Sequence, residues 1–446
     1  MILPFILEFV LVSICCAFRV SFRVLFAIFI GLFFGIGILA GDVFSSPKQT
    51  CRVGTETGVE DRFADMRARV LELAELRSPP KAFQSTDATL DDGVRSLYFE
   101  GLPWQGKPTR VFALLGLPEK ITRDADNAPV PGVVLVHGGG GTAFRPWVKK
   151  WNERGFAAIS IAVEGQTDQR DQARKKWVRH PWAGPERKGI YADSDLPLED
   201  QWMYHGVADT ILANSLLRSM PEVDSNRIGL VGISWGGVIT STVIGIDQRF
   251  AFAVPTYGCG DLAEAENQYG RALGQNQVYR NVWDPMVRLD RVSMPVLWLT
   301  WPGDLHFPLD SVKRCYEKTS ANYMVSMIPG MKHSHGAGWN PPDSYAFADS
   351  VVSMGKPWCQ QQGVVVEGNS VEVRFATVKP IAGASLICTS ANGFTGTRKW
   401  RELPVKFTQS KDSVIVSATL PRETTAWFIN LSSEGLVASS DYQISN

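Results

Sequence analysis

The chain has 446 residues, more than one compact core ordinarily accommodates, so its length calls for more than one domain. Its 45 lysines and arginines balance 45 aspartates and glutamates, and hydrophobic residues make up 45% of the sequence. This neutral, ordinary balance excludes a strongly basic nucleic-acid binder and a long charged tail, and no nucleic-acid partner is expected.

Residues 1–18 are almost wholly apolar. Arg19 and Arg23 follow, then a second apolar run from Val24 to Ala40 that ends at Gly41-Asp42. A charged start, an apolar stretch and a small-residue end are the marks of a signal peptide, and the stretch is also nearly long enough for a membrane anchor. Residues 1–45 are therefore expected to be a signal peptide or a membrane anchor. The body is expected to be exported (periplasmic, secreted or membrane-anchored), with any membrane attachment made through this segment.

Residues 46–104 read as a linker with one helix. Met66, Val70, Leu73 and Leu76 share a helical face, and Pro79-Pro80 stops it. From about residue 105 short apolar runs alternate with helical stretches. The runs are 133–136, 157–163, 227–231, 251–255, 296–300 and 323–328, and the helices are 143–153, 199–218, 235–246, 308–319 and 342–353. Strands apolar on both faces belong in a buried parallel sheet covered by helices. A catalytic domain over 105–355 is expected. Residues 360–446 carry only short alternating runs between polar turns, which predicts a small β-sandwich with its own core. Such a domain would be removable without loss of the activity of the preceding domain.

Beyond the leader stand Cys51, Cys259, Cys315, Cys359 and Cys388, with no C-x-x-C spacing. Neither a metal site nor a redox site is expected, and no cofactor. Cys359 and Cys388 lie in one region and are candidates for a disulfide.

Gly232-Ile233-Ser234-Trp235-Gly236-Gly237 follows an apolar strand and opens a helix. That is the setting of a nucleophile elbow, which lifts a serine to the top of a sheet at a helix N-terminus. A serine hydroxyl needs a base, and in this arrangement the acid and the histidine follow it in the chain. Three of the six histidines do so: His306, His333 and His335. His333, a short glycine turn after the strand 323–328, is the expected base, with His335 as the alternative. Asp304, after Trp301-Pro302-Gly303, is the expected acid, and Asp310 a helix cap. The oxyanion hole needs two backbone N–H groups. Trp235 is expected to supply one, and the run His137-Gly138-Gly139-Gly140-Gly141 the other, through Gly138 or Gly139. Pocket walls are expected from the insertions 177–185 and 258–290, with Trp182 and Tyr257 as lining residues.

The chain resembles the dienelactone hydrolase and acetylxylan esterase branch of the α/β-hydrolases, which neighbours the catalytic domain of prolyl oligopeptidases. The carriers are HGGGG at 137–141, PEVDSNRIGLVGISWGG at 221–237, PGD at 302–304 and PGMKHSH at 329–335. The resemblance implies an α/β-hydrolase sheet and hydrolysis of a carboxylic ester, often on acylated carbohydrate. Dienelactone hydrolases carry cysteine where this chain has Ser234. Prolyl oligopeptidases carry a long propeller, and only about sixty residues separate the leader from the hydrolase here. An aminopeptidase or acyl-peptidase is therefore the second reading. It needs a carboxylate for the substrate ammonium, and Glu164 and Glu186 are the candidates.

Overall fold

The computed structural model describes residues 57–85, 92–119 and 128–445; the leader 1–45 and Cys51 lie outside them. The chain enters through helix α1 (Thr57–Glu72) and then three strands, β1 (Ala82–Gln84), β2 (Val94–Glu100) and β3 (Arg110–Gly116). Next come β4 (Val130–Val136), α2 (Arg145–Asn152) and β5 (Ala157–Ile161). A hairpin of β6 (Gln166–Asp171) and β7 (Lys176–Arg179) interrupts the alternation. It resumes with α3 (Trp202–Arg218), β8 (Val223–Ile233), α4 (Trp235–Val243), β9 (Phe252–Thr256), α5 (Gln268–Leu273), β10 (Val296–Thr300), α6 (Leu309–Lys318) and β11 (Tyr323–Met327). Helices α7 (His335–Trp339) and α8 (Asp343–Met354) close it.

In the main sheet β5, β4, β8, β9, β10 and β11 lie side by side and parallel. Every residue of β5, β9 and β10 is buried, as strands covered on both faces should be. Helices α2 and α8 meet through Trp151 and Tyr345, whose ring centres are 4.7 Å apart. Helices α3 and α4 meet through Trp202 and Trp235, at 5.9 Å. All six apolar runs expected between 133 and 328 fall on these strands.

The N-terminal approach is more than a linker. Strands β1, β2 and β3 extend the sheet in antiparallel fashion beside β5. Phe99 on β2 and Phe112 on β3 are fully buried. Burial of two such rings contributes roughly 1.5–3 kcal/mol each, enough to fix this segment to the body of the parallel sheet.

The C-terminal strands are β12 (Cys359–Glu367), β13 (Ser370–Thr377), β14 (Gly383–Thr389), β15 (Arg401–Pro404), β16 (Lys406–Gln409), β17 (Ser413–Thr419), β18 (Ala426–Ser433), β19 (Leu436–Ser439) and β20 (Gln443–Ile444). One sheet runs β12-β13-β17-β16, and the others join the main sheet, because β19 pairs with β11 at Val325 and Ser439. The sandwich thus shares a sheet with the preceding domain. Asn430 donates to the Met327 carbonyl at 3.0 Å, and the Met327 N–H donates to the Ser439 hydroxyl at 2.8 Å. Asp343 on α8 accepts the Val437 N–H at 2.8 Å and the Ser326 hydroxyl at 3.0 Å. Gly396 lies against the carbonyl of Asp304, where a Cβ would collide, and the Leu309 N–H donates to the Thr395 hydroxyl at 3.1 Å. The sandwich therefore buttresses the Asp304 loop, which argues against its removal without effect on the site. Cys359 and Cys388 are both free thiols, so the candidate disulfide between them is absent.

Two predictions follow from this packing. A chain ending at Gly355 leaves β11 as an open sheet edge and the Asp304 loop unsupported, so it should aggregate and lose fluorophosphonate labelling. A soluble truncation labelled at the full-length rate would contradict this. The second concerns Asp209 on α3, which is 8% exposed and has no ion pair among the described residues. Burial pushes its carboxyl up to about 8. A carboxyl raised in the folded state stabilises it fully below the ordinary carboxylate range, and that contribution is lost as pH rises from about 4 to 8. Asp209→Asn should flatten the decline of melting temperature between pH 5 and pH 8. Parallel declines in variant and wild type would show that Asp209 does not drive it.

Candidate active site

Ser234 sits between β8 and α4 with φ 57° and ψ −118°, a conformation an L-residue rarely adopts. Such strain costs roughly 1–3 kcal/mol. It is held by two backbone hydrogen bonds: the Ser234 N–H donates to the Thr256 carbonyl at 3.0 Å, and the Val238 N–H to the Ser234 carbonyl at 2.9 Å. Close packing makes the flanking glycines obligatory. A Cβ on Gly232 would strike the Gly236 carbonyl, and one on Gly236 would strike the carbonyl of Val136.

His333 reaches the serine from the loop after β11. Its Nε2 lies 3.0 Å from the Ser234 Oγ, and its Nδ1 lies 2.8 Å from Asp304 Oδ2. Asp304 is 1% exposed and also accepts the Trp301 indole N–H at 3.1 Å and the His306 and Phe307 backbone N–H groups at 2.7 and 3.0 Å. A carboxylate with that many donors is an acceptor only, so the shared proton sits on His333 Nδ1 and Nε2 faces the hydroxyl as an acceptor. Tyr257 stacks on His333, with ring centres 4.3 Å apart, and its hydroxyl donates to the Ser334 carbonyl at 2.5 Å. Asp310 stands at the first turn of α6.

His335 is held elsewhere. Its Nε2 accepts the Gly138 N–H at 3.0 Å, and its ring lies 4.8 Å from that of Phe144. Burial, with His137 beside it, pushes His335 down to about 4. It stays neutral above that range and remains an acceptor. His137 is a staple at the end of β4: Nε2 accepts the Val163 N–H at 3.0 Å, and Nδ1 donates to the Gly138 carbonyl at 2.7 Å.

Three expected roles change. The Gly138 N–H is spent on His335, so it is not an oxyanion donor in this arrangement. No acceptor among the described residues takes the Gly139 N–H, and Trp235, first in its helix, has no helical acceptor four residues back. Tyr257 is 1% exposed, so it supports the imidazole from beneath rather than lining an open pocket. Trp182 is 42% exposed and packs on Tyr98 and Arg110, at the β2–β3 edge of the sheet.

Sequence reasoning missed Arg187, which follows the insertion 177–185 and lies in no motif. Its guanidinium stands 4.9 Å from the Trp235 ring, and a Cβ on Gly139 would come within 2.7 Å of its Nη2. Its Nε donates to Glu164 at 3.1 Å, and the other Glu164 oxygen accepts the Gln166 amide at 3.1 Å. Tyr191 and Tyr269 wall Trp235 from two further sides, each at 5.6 Å.

The family model described as acetyl xylan esterase matches residues 56–260, and that of the prolyl oligopeptidase family matches residues 197–349. The chain has an α/β-hydrolase fold, and each family match covers less than half of it. Among solved structures the hydrolase is similar to acetyl xylan esterase 1 from Thermoanaerobacterium sp. JW/SL YS485, at 19% identity and a TM-score of 0.49, over 62% of this chain and 90% of that one. It is also similar to an acetyl xylan esterase from Paenibacillus sp. R4, at 20% identity and a TM-score of 0.46, over 64% and 91% of the two chains. With acylaminoacyl peptidase from Pyrococcus horikoshii the identity is 18% and the TM-score 0.41, over 55% and 38%. No curated protein matches the hydrolase.

The His335–Gly138 bond generates a prediction. Replacing His335 with Ala leaves the Gly138 N–H without its acceptor and the glycine loop free to shift. Fluorophosphonate labelling of the hydrolase should slow about tenfold, the equivalent of ~1.4 kcal/mol for one lost hydrogen bond. An unchanged labelling rate would show that the loop holds itself.

Proposed function

We propose that the chain is an exported carboxylesterase that removes short acyl groups, acetyl foremost, from carbohydrate through a Ser234–His333–Asp304 acyl-enzyme mechanism. His333 Nε2 takes the Ser234 proton as Oγ attacks the ester carbonyl, and Asp304 holds the ring and stabilises the imidazolium. The Gly139 and Trp235 N–H groups receive the oxyanion, at a helix N-terminus whose dipole favours negative charge. The imidazolium then protonates the leaving alcohol. Water, activated by the same imidazole, releases the acid and regenerates Ser234.

The observation that carries the esterase over the peptidase is the Arg187–Glu164 pair, 3.1 Å between Nε and Oε1. An aminopeptidase needs an uncommitted carboxylate beside its oxyanion loop. Glu164 is committed to Arg187 and Gln166, and the group that adjoins Gly139 is a guanidinium, which repels an ammonium. Glu186 is exposed. The buried aromatic wall around Trp235 favours a small acyl group, and the acetyl xylan esterase match over the elbow supports the same reading. The apolar leader supports export.

Ser234→Ala should abolish fluorophosphonate labelling and acetate release while the melting curve is kept. His333→Ala should lower kcat roughly 10³-fold or more. Acetylated xylo-oligosaccharide and an aminoacyl-anilide, compared at equal enzyme concentration, test the class. A higher kcat/KM on the anilide would promote the peptidase.

A further inference from the structure

The hairpin β6–β7 rises beside the glycine loop, and its chemistry plays no part in the triad. Its strands pair at Arg170 with Trp177 and at Asp171 with Lys176, and Asp171 fixes the tip by accepting the Ala173 and Arg174 N–H groups at 2.9 and 3.0 Å. A cleft of about 550 Å³ runs from Gly140 along this hairpin. Arg170, Arg174, Lys175, Lys176 and Arg179 line it, together with Trp177. The half-buried Trp177 donates its indole N–H to the Gly140 carbonyl at 3.2 Å, and Arg170 lies 5.3 Å from its ring centre. The cleft is thus tied to the loop that carries the proposed oxyanion donor.

The carboxylates on the same walls cancel only part of this charge. Glu164 is taken by Arg187 and Gln166; Asp171 accepts two backbone N–H groups and pairs with Arg174 at 3.7 Å; Glu186 is left exposed. Lys175 and Lys176 are exposed and make no ion pair among the described residues. A chain with no net charge therefore gathers five cations in one cleft, tied to the glycine loop at Gly140.

We propose that this cleft binds the anionic sugar residues of an acetylated polyuronate, so that the preferred substrate is an acetyl ester on a carboxylate-bearing polysaccharide. The proposal rests on the esterase reading and names the substrate class for it. Trp177 adds an aromatic ring to the cleft, with Arg170 over it. The cations, spaced along a strand pair, meet carboxylates repeated along an extended chain. A groove lined by one sign of charge raises the local concentration of an opposite-sign substrate and its on-rate, and salt screens the effect. A cleft, rather than a flat basic face, favours an extended polymer over a membrane surface.

The test compares acetylated oligogalacturonate with acetylated xylo-oligosaccharide on the full chain at low and high salt. The acidic substrate should have a kcat/KM about tenfold higher at low ionic strength, with the ratio collapsing in 0.5 M salt. Lys175→Glu with Lys176→Glu should lower that ratio about tenfold, whereas Lys356→Glu with Lys411→Glu, the same charge change elsewhere, should leave it. The wild-type salt dependence requires no variant, so the test survives a misfolded one. Equal or better turnover of the neutral substrate, insensitive to salt, would overturn the inference and leave the esterase reading standing. Failure on both acetyl esters, with Ser234 still labelled by fluorophosphonate, would overturn the esterase reading itself. Charge reversal that abolishes binding to anionic phospholipid vesicles without moving the substrate ratio would transfer the cleft to a membrane role.

Discussion

The positive φ at Ser234 is the constraint on which the site depends. A residue in that conformation stores strain, and it persists only where its surroundings over-determine it. Here the Thr256 carbonyl holds the Ser234 N–H, and Gly232 and Gly236 let β8, α4 and β4 approach closely enough to leave no alternative. One turn thereby aims the hydroxyl at His333 and leaves the Trp235 N–H at the mouth of a helix. Two backbone bonds of about 1 kcal/mol each are comparable to the strain, and the buried parallel strands on either side supply the remainder.

Around that turn two histidines separated by one residue are put to different uses. His333 is held between Asp304 and Ser234 and supported by Tyr257, while His335 accepts the Gly138 N–H. The alternation follows from the chain path: Ser334 caps the short helix that begins at His335, which turns the second ring toward the glycine loop and away from the serine. The sandwich enters the same network from outside, because Gly396 and Thr395 pack on the Asp304 loop and its first turn of helix. The C-terminal region thus packs directly on the loop that carries Asp304.

Much of this was legible in the sequence because it is written in local patterns. The six apolar parallel strands, the glycines around Ser234 and the order of serine, acid and histidine all follow from spacing. What was not legible depends on contacts between distant segments. Arg187 has no motif, and its place beside Trp235 and Gly139 comes from the path of the insertion before α3. The β2–β3 pair, with a weak alternation in Val94–Glu100, was hidden until its rings were seen buried against the body. The β19–β11 pairing joins residues more than a hundred positions apart, so no window of sequence reports that the sandwich shares the sheet. The commitment of Gly138 to His335 is likewise a long-range bond.

The most direct test of the account is a crystal structure of the fluorophosphonate adduct, whose tetrahedral phosphorus stands in for the reacting carbon. The account predicts phosphorus bonded to Ser234 Oγ. Its phosphoryl oxygen should lie within about 2.7–3.1 Å of the Gly139 and Trp235 nitrogens, with the Gly138 N–H still on His335. A phosphoryl oxygen on the Gly138 nitrogen, or an adduct on any other side chain, would contradict it.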